Sequence, residues 1–350
     1  MTVADDAAST PVRRKAATIT DIAQLSGVAP STVSRALTRP DRVNEVTRQR
    51  IERAARDLGY TPNRAPGAVL PGRTRAIAVL VSDITNPFYF DIIRGTQQQL
   101  KAAGYTQLLV DTEESGELEA STLDEMRGGA VGAVVTASRL PDTELARYAE
   151  SMPLVCINRR PPGVPNVLID TPGGVVQALE HLYSLGHRDI LYISGPLSSW
   201  SNERRWKTIE RVSARLGVTP RRAGPFSPTT ASGAAAADVA INAGATACVV
   251  FNDLIAIGML ARMRERGLSV PDDLSIVGCD DIFGADFCNP PLTTLAAPIE
   301  QAGRVAVSML LARLAGGAAQ RDSVLLPTHL TVRSTTGPVP PATIVRKDRR

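Results

Sequence analysis

Only four cysteines and three histidines occur in the 350 residues of this chain, and aromatic side chains make up just 4% of it. Cys156, Cys248, Cys279 and Cys288 are scattered through apolar or mixed segments with no CxxC spacing, so neither a disulfide scaffold nor a cysteine metal site is expected, and reduced buried thiols are. His181, His187 and His329 are dispersed and form no HExxH or paired-ligand spacing. No GxSxG elbow, phosphate-binding P-loop or GxGxxG turn is present, so no enzyme, cofactor or metal is expected. Long apolar runs are missing too. No window approaches a membrane span, and the start, MTVADDAASTPVRRK, carries no apolar stretch after its basic cluster, so neither a membrane segment nor a signal peptide is expected. A cytoplasmic, nucleoid-associated protein is the expectation.

The charge that is present is unevenly placed. The net charge of +4 conceals 12 Lys/Arg against 7 Asp/Glu in residues 1–74, a net of +5, and 27 against 28 in the remainder, a net of −1. A basic first fifth favours a polyanion partner, and the rest of the chain a different one. Within that fifth, 18–37 reads as two short helices about a tight turn. Asp21 to Leu25 forms the first, with Thr20 able to cap it and Ile22, Ala23 and Leu25 at inward spacing. Gly27 suits a left-handed turn, and Pro30 a first helical position. Val33 and Leu37 share a packing face, while Ser31, Ser34 and Arg35 lie opposite, the dress of a helix that enters a DNA major groove. Asn44 caps a third helix, 45–58, with Val46, Ile51, Ala54, Ala55 and Leu58 as its inward stripe, and Gly59 stops it. Residues 1–17 read as a disordered basic arm.

From residue 75 the pattern becomes strictly alternating apolar strands and helices, which dictates doubly wound parallel sheets. Strands are expected at 76–81, 106–111, 130–136 and 154–157, with helices 88–103, 117–127 and 142–151 between them. The pattern restarts with strands 166–169, 189–194, 247–251 and 275–279 and helices 172–185, 202–216, 230–243 and 253–265, and closes with helix 299–314 and one strand, 323–331. The expectation is a two-lobed α/β core over 75–336, with an N-lobe of about 75–160 plus 299–331, a C-lobe of about 166–298, and a disordered tail from 337. Ligands of open α/β sheets bind beyond the carboxyl ends of the strands, here between lobes. The residues that fall there are Phe88 and Tyr89, Asn158 and Arg159, the 198–205 segment, Asn252 and Asp253, and Asp280 and Asp281. Amide, carboxylate and guanidinium groups beside aromatic faces suit a polyhydroxylated ring. Tyr89 is open to a plain core role, Trp200 to facing solvent, Arg204 to a surface ion pair, and Asp253 to capping the helix after it.

TITDIAQLSGV, TVSRAL, VNEVTR, LGYTPN and GRT occur in this order over about sixty residues. In them the chain resembles the LacI/GalR family of bacterial transcription repressors. The resemblance implies a helix-turn-helix domain at 18–62, a hinge at 63–74 and a core like the periplasmic sugar-binding proteins. It implies DNA contacts from Thr18, Ile19, Pro30, Ser31, Thr32, Ser34, Arg35, Asn44, Thr47, Tyr60 and Asn63, with Val69 at the minor-groove wedge position. Ala29 replaces the serine usual before the recognition helix, and Pro66 and Gly67 depart from a helix-friendly hinge. In the core it implies ligand contacts from Phe88 and Tyr89 in NPFYF, Trp200 and Arg205 in GPLSSWSNERR, Phe226 in GPF, Asn252 in FND, Asp280 in GCDD, and Asn158 at a position often held by aspartate. The implied function is a repressor whose hold on a pseudo-palindromic double-stranded operator is set by a sugar or related polyol or nucleoside, working as a homodimer or tetramer. A periplasmic-type sugar carrier would explain the core but not the basic head.

Overall fold

A computed structural model describes residues 18–38, 42–58, 75–126, 129–316 and 322–339. The chain divides into two compact units, residues 1–68 and 69–350. The expected arm 1–17, the hinge 63–74 with Pro66, Gly67 and Val69, and the positions Tyr60 and Asn63 lie outside the described residues.

In the first unit, α1 (Ile19–Ser26), α2 (Pro30–Thr38) and α3 (Glu45–Asp57) close over a small core of Ile22, Ala23, Val33, Ala36, Ile51, Ala54 and Ala55. The cap of α1 is Thr18 rather than Thr20. Its side chain accepts from the Asp21 N–H, and the Asp21 carboxylate reaches back to the Thr18 N–H at 2.7 Å, a reciprocal capping box. The helix therefore starts two residues earlier; its buried face runs through Ile22, Ala23 and Ser26, whose hydroxyl donates to the Ile22 carbonyl, and Leu25 lies outside it, 56% exposed. Gly27 ends α1 at φ 67°, in the left-handed region that costs glycine least. Asn44 caps α3 by accepting from the Val46 N–H at 2.9 Å. Val46 itself is 72% exposed and Leu58 also lies outside the core, so the inward stripe of α3 is narrower than expected.

The second unit runs β1 (Ala76–Val81), α4 (Phe88–Ala102), β2 (Thr106–Asp111), α5 (Gly116–Met126), β3 (Gly132–Thr136), α6 (Asp142–Ser151), β4 (Leu154–Ile157) and β5 (Asn166–Ile169). It continues α7 (Thr171–Ser184), β6 (Asp189–Ile193), α8 (Trp200–Leu216), β7 (Thr219–Ala223), α9 (Ser232–Asn242), β8 (Ala247–Val250), α10 (Asp253–Glu265), β9 (Ser275–Cys279) and β10 (Thr293–Ala296). It ends with α11 (Ile299–Leu314), β11 (Ser323–Leu326) and β12 (His329–Thr331). Two six-stranded sheets result, ordered β11-β5-β4-β3-β1-β2 and β12-β10-β9-β8-β6-β7. Every pairing is parallel except β10 with β12. Buried clusters line both faces of each sheet, which is why the strands read as continuous apolar runs.

Four expectations change. β5 belongs to the first sheet, paired in parallel with β4, so the second lobe begins at α7 and not at 166. The Pro-rich loop between β4 and β5 carries no helix, and a missing helix looked like a lobe boundary. The single closing strand 323–331 is two: β11 completes the first sheet and β12 the second. β7 and β10 were not foreseen. The chain therefore crosses between lobes three times, after β5, after β10 and after β11. Two of the crossings are tied together where the Thr328 hydroxyl donates to the Asp170 carbonyl at 2.5 Å. α4 and α11 cover the first sheet and touch so closely that a β-carbon at Gly95 would collide with the Glu300 carbonyl. Residues 337–339, expected in the disordered tail, are held in the second lobe: the buried His187 ring bridges Thr246, Ser275 and the Gly337 carbonyl at 3.0–3.1 Å, and the Val339 N–H donates to the Leu185 carbonyl at 2.9 Å; the rest of the expected tail lies outside the described residues. Among the described residues no helix is long and apolar enough to cross a membrane.

Candidate functional site

Two sets of chemistry-bearing residues emerge, one in each unit. In the first unit α2 opens without a side-chain cap, because Ala29 offers only its carbonyl to Thr32 and Val33. Val33 and Ala36 are buried and Leu37 packs on the same core, which leaves Pro30, Ser31 and Arg35 exposed and Thr32 and Ser34 half-buried. One helix face thus shows a proline ring, short hydroxyls and one guanidinium fork to solvent. Thr18 and Asn44 are exposed but serve as helix caps, Ile19 packs on the small core, and Thr47 is half-buried on the first turn of α3.

In the second unit the carboxyl ends of the parallel strands of both lobes converge. Asn86, Phe88 and Tyr89 follow β1, Glu114 follows β2, Ala137 and Arg139 follow β3, and Asn158 follows β4. Facing them are Ser199, Ser201 and Arg205 after β6, Pro228 after β7, Phe251 and Asn252 after β8, and Asp280 after β9. These residues line one cavity of about 40 Å³, room for a few waters. Phe88 and Asp280 also border a wider space of about 480 Å³ lined by Phe90, Asp91, Arg94, Asp281 and Phe283 among others. The charges there already have partners: Arg94 lies 3.8 Å from Asp91, and Arg333 lies 2.7 Å from Asp281. The smaller cavity is the chemically unsatisfied one.

Its second-lobe wall is built on α8. Ser199 caps the helix, and the buried Asn202 ties the turn before it, accepting from the Tyr192 hydroxyl at 2.8 Å and from the Gly195 N–H at 3.0 Å. This places Arg205 one turn on, 4% exposed. Nη1 donates to the Phe251 carbonyl, Nη2 lies 4.0 Å from Asp280, and Nε has no hydrogen-bond partner among the described residues. Burial pushes the Asp280 carboxyl up to about 8 against the pull of Arg205, and the residue is held at φ 116°. Behind it Asp253 is fully buried, accepting from the Thr294 hydroxyl at 2.6 Å and the Ile282 N–H at 3.0 Å, with burial raising it to about 6. Asn252, not Asp253, caps α10; its oxygen accepts from the Ile255 N–H at 3.1 Å and its amide donates to the Pro228 carbonyl at 3.1 Å.

On the first-lobe wall Tyr89 is 4% exposed and meets Phe88 edge-on at 5.1 Å, so it joins the core cluster and the cavity lining together. Burial raises its phenol. Asn158 adopts φ 58° and is buried, with its side-chain oxygen unpaired among the described residues. Arg159, next to it, turns away to Asp142, Ser138 and Leu140 and ties loops together.

Of the eight core residues expected at a ligand, the structure gathers Phe88, Tyr89, Asn158, Arg205, Asn252 and Asp280 around this cavity. It does not bring Trp200 or Phe226 there. Trp200 is half-buried with the Arg204 guanidinium 4.7 Å over its ring, so Arg204 stacks on it and forms no ion pair among the described residues. Phe226 packs against the second-lobe core. Ser199 and Ser201 lie in the expected 198–205 segment, whereas Glu114, Arg139 and Phe251 were missed. Their positions after strands would have exposed Glu114 and Arg139, but no motif marks them.

A parallel α/β pair of lobes with a polar cleft, preceded by a helix-turn-helix unit, defines a ligand-binding regulator fold. Residues 18–63 match the bacterial regulatory proteins of the lacI family, and residues 179–336 match the periplasmic binding protein-like domain. The chain is 34% identical over 333 residues to the HTH-type transcriptional repressor CytR of Escherichia coli K12, covering 93% of this chain and 98% of that one. The lac repressor dimer bound to operator and the anti-inducer ONPF superposes with a TM-score of 0.71 at 26% identity, covering 92% of this chain and all of the other. A complex of the transcriptional regulator CelR with cellobiose does so at 0.67 and 29% identity, covering 91% and 99%. The chain belongs to the lacI family of bacterial regulatory proteins. It is a DNA-binding transcriptional regulator under small-ligand control, and the carrier alternative is set aside.

Proposed function

We propose that the protein is a repressor that binds a pseudo-palindromic operator as a homodimer and answers to a polyhydroxylated ligand, a sugar or related polyol or nucleoside, held between its core lobes. The observation that carries the ligand side is a pair of buried, unpaired polar atoms across one cavity: Asn158 Oδ1 on the first lobe and Arg205 Nε on the second. A buried polar atom left unpaired costs about 1–3 kcal/mol. A hydroxyl both donates and accepts, so adjacent hydroxyls of one ring satisfy both atoms, with Phe88, Tyr89 and Phe251 as apolar walls and Asp280 as a further polar partner. The relative solved with cellobiose fits this chemistry. Such a ligand bridges the lobes and favours one lobe orientation. Operator affinity changes only through its differential affinity for the orientations that do and do not suit DNA.

On the DNA side Ser31, Thr32 and Arg35 read bases from α2, Pro30 offers only apolar contact, and Thr18, Ile19, Ser34, Asn44 and Thr47 position the head on the backbone. Tyr60, Asn63 and Val69 take the roles the family pattern assigns them. Acting on the chromosome places the protein in the cytoplasm. No catalytic step is assigned to the cleft.

The test selects an operator from random DNA with the full chain, then repeats gel shifts at fixed salt with a panel of sugars, polyols and nucleosides. One compound should change operator affinity at least tenfold. Asn158→Gly, which keeps the left-handed backbone, and Arg205→Ala should abolish that response while ligand-free operator binding stays. A response that survives both substitutions removes the ligand from this cleft.

A further inference from the structure

We propose that Glu114 and Arg139 act as a charge filter on the first-lobe wall, admitting neutral polyhydroxylated ligands and turning away phosphorylated or acidic ones. This rests on the cleft reading above. An arginine facing a ligand cavity would ordinarily invite an anion. Here the Arg139 side chain is 5% exposed, and both its Nε, at 2.7 Å, and its Nη2 donate to a single oxygen, Oε2 of Glu114. The other carboxylate oxygen accepts no hydrogen bond among the described residues.

The backbone holds the turn that carries Glu114, and Arg139 holds its carboxylate. Glu113 and Glu114 both hold left-handed conformations, φ 48° and 57°, and the Glu114 N–H donates to the Ser82 carbonyl at 2.6 Å. Two more carboxylates, Asp83 and Asp111, lie close enough to add to the negative potential; burial first, and then these two, raise the Glu114 carboxyl against the pull of Arg139. An anion within reach of Arg139 would therefore sit against Glu114 with two more acids behind it, and like charges in a poorly solvated cavity repel strongly. The opposite wall does not compensate. Arg205 has given Nη1 to the Phe251 carbonyl, and its Nη2 faces the Asp280 carboxyl at 4.0 Å, so an anion that reaches this guanidinium meets a second carboxyl group beside it. The first-lobe wall thus offers two acceptors, the second Glu114 oxygen and Asn158 Oδ1, which take hydroxyl protons that a phosphate or carboxylate lacks.

Calorimetry on the full chain, using neutral sugars and nucleosides each paired with its phosphate monoester, together with inorganic phosphate, tests the filter. A neutral compound should bind at least tenfold tighter than its own ester. Glu114→Gln, which removes the charge and keeps the shape, should close that gap at least tenfold and raise affinity for inorganic phosphate. Should the unpaired Arg139 prevent that variant from folding, Glu114→Gln with Arg139→Gln gives an uncharged wall and the gap should still narrow. An ester that binds as tightly as its neutral parent, or a gap unmoved in these variants, overturns the filter. If the gap stays fixed while Asn158→Gly abolishes binding, the filter falls and the cleft stands. If Asn158→Gly leaves binding intact, both fall.

Discussion

The head and the cleft solve recognition in opposite ways. In the head, the side chains placed to read DNA stand in solvent: Pro30, Ser31 and Arg35 are exposed on a helix held by seven small or medium apolar residues. In the cleft, Asn158, Arg205, Asn252 and Asp280 are buried or nearly so, two of them with atoms lacking partners and one with its carboxyl pushed up to about 8. The difference follows from the ligands. A duplex supplies its own charge, water and groove walls, so the protein need only present a rigid pattern of donors. A small ligand supplies no walls, so the protein must bury polar groups in advance and tolerate their strain until the ligand arrives.

The two regions should consequently fail differently under the same damage. Ile51 and Ile92 are both fully buried, one in the head and one in the core. Truncating either to alanine removes the same atoms and costs about 2–5 kcal/mol. The core has large clusters on both faces of two sheets to absorb that loss, while the head is a minimal domain with little stability to spare. Ile51→Ala should abolish operator binding and the head's melting transition while the ligand still stabilises the core, measured by calorimetric scanning and gel shift. Ile92→Ala should lower core melting but leave a folded protein. Equal consequences for both would break the contrast.

The same contrast governs what the sequence revealed. The head was legible down to its turn glycine because its helices are short, local and dense with cap and turn signals, yet Leu25 and Val46 were misassigned to the core. Spacing puts them near the inner face, but the core of three short helices is too small to reach them. In the core, the strand ends that collect Phe88, Asn158, Asn252 and Asp280 followed from apolar runs and the rule for open sheets. Which sheet each strand joins did not, because local pattern carries no record of a crossover: β5 and the β12 half of 323–331 went to the wrong lobe for that reason. β7 escaped notice because its sequence, TPRRA, has no apolar run; it is an edge strand whose arginines pair outward, Arg221 with Asp189 at 2.8 Å. Glu114 and Arg139 look like ordinary surface charges until the fold brings the loops after β2 and β3 together.

A smaller effect separates reading from positioning within the head. Arg35→Ala should cost about 1–3 kcal/mol on the selected operator and much less on scrambled DNA, so that discrimination between them narrows. Competition gel shifts at two salt concentrations measure both. If affinity falls equally for operator and scrambled DNA, Arg35 is a phosphate contact and the exposed face of α2 specifies less than its chemistry suggests.

The smallest expected effect falls on Thr18, where exposure and availability part company. Its hydroxyl is on the surface, yet it donates to the Asp21 carboxylate at 2.7 Å and accepts from the Asp21 N–H at 3.3 Å, so the capping box already uses its hydrogen. Thr18→Ala should therefore act through stability, at about 1 kcal/mol, which lowers the head's melting by about 4–8 °C for a domain of this size. Thr18→Ser keeps the cap and should restore melting and operator affinity together. The salt dependence of binding should be unchanged in both, since no phosphate contact is lost. A shallower salt slope in Thr18→Ala with unchanged melting would instead mean that the hydroxyl leaves its cap to meet DNA, and that even the head's positioning groups are held in reserve as the cleft's are.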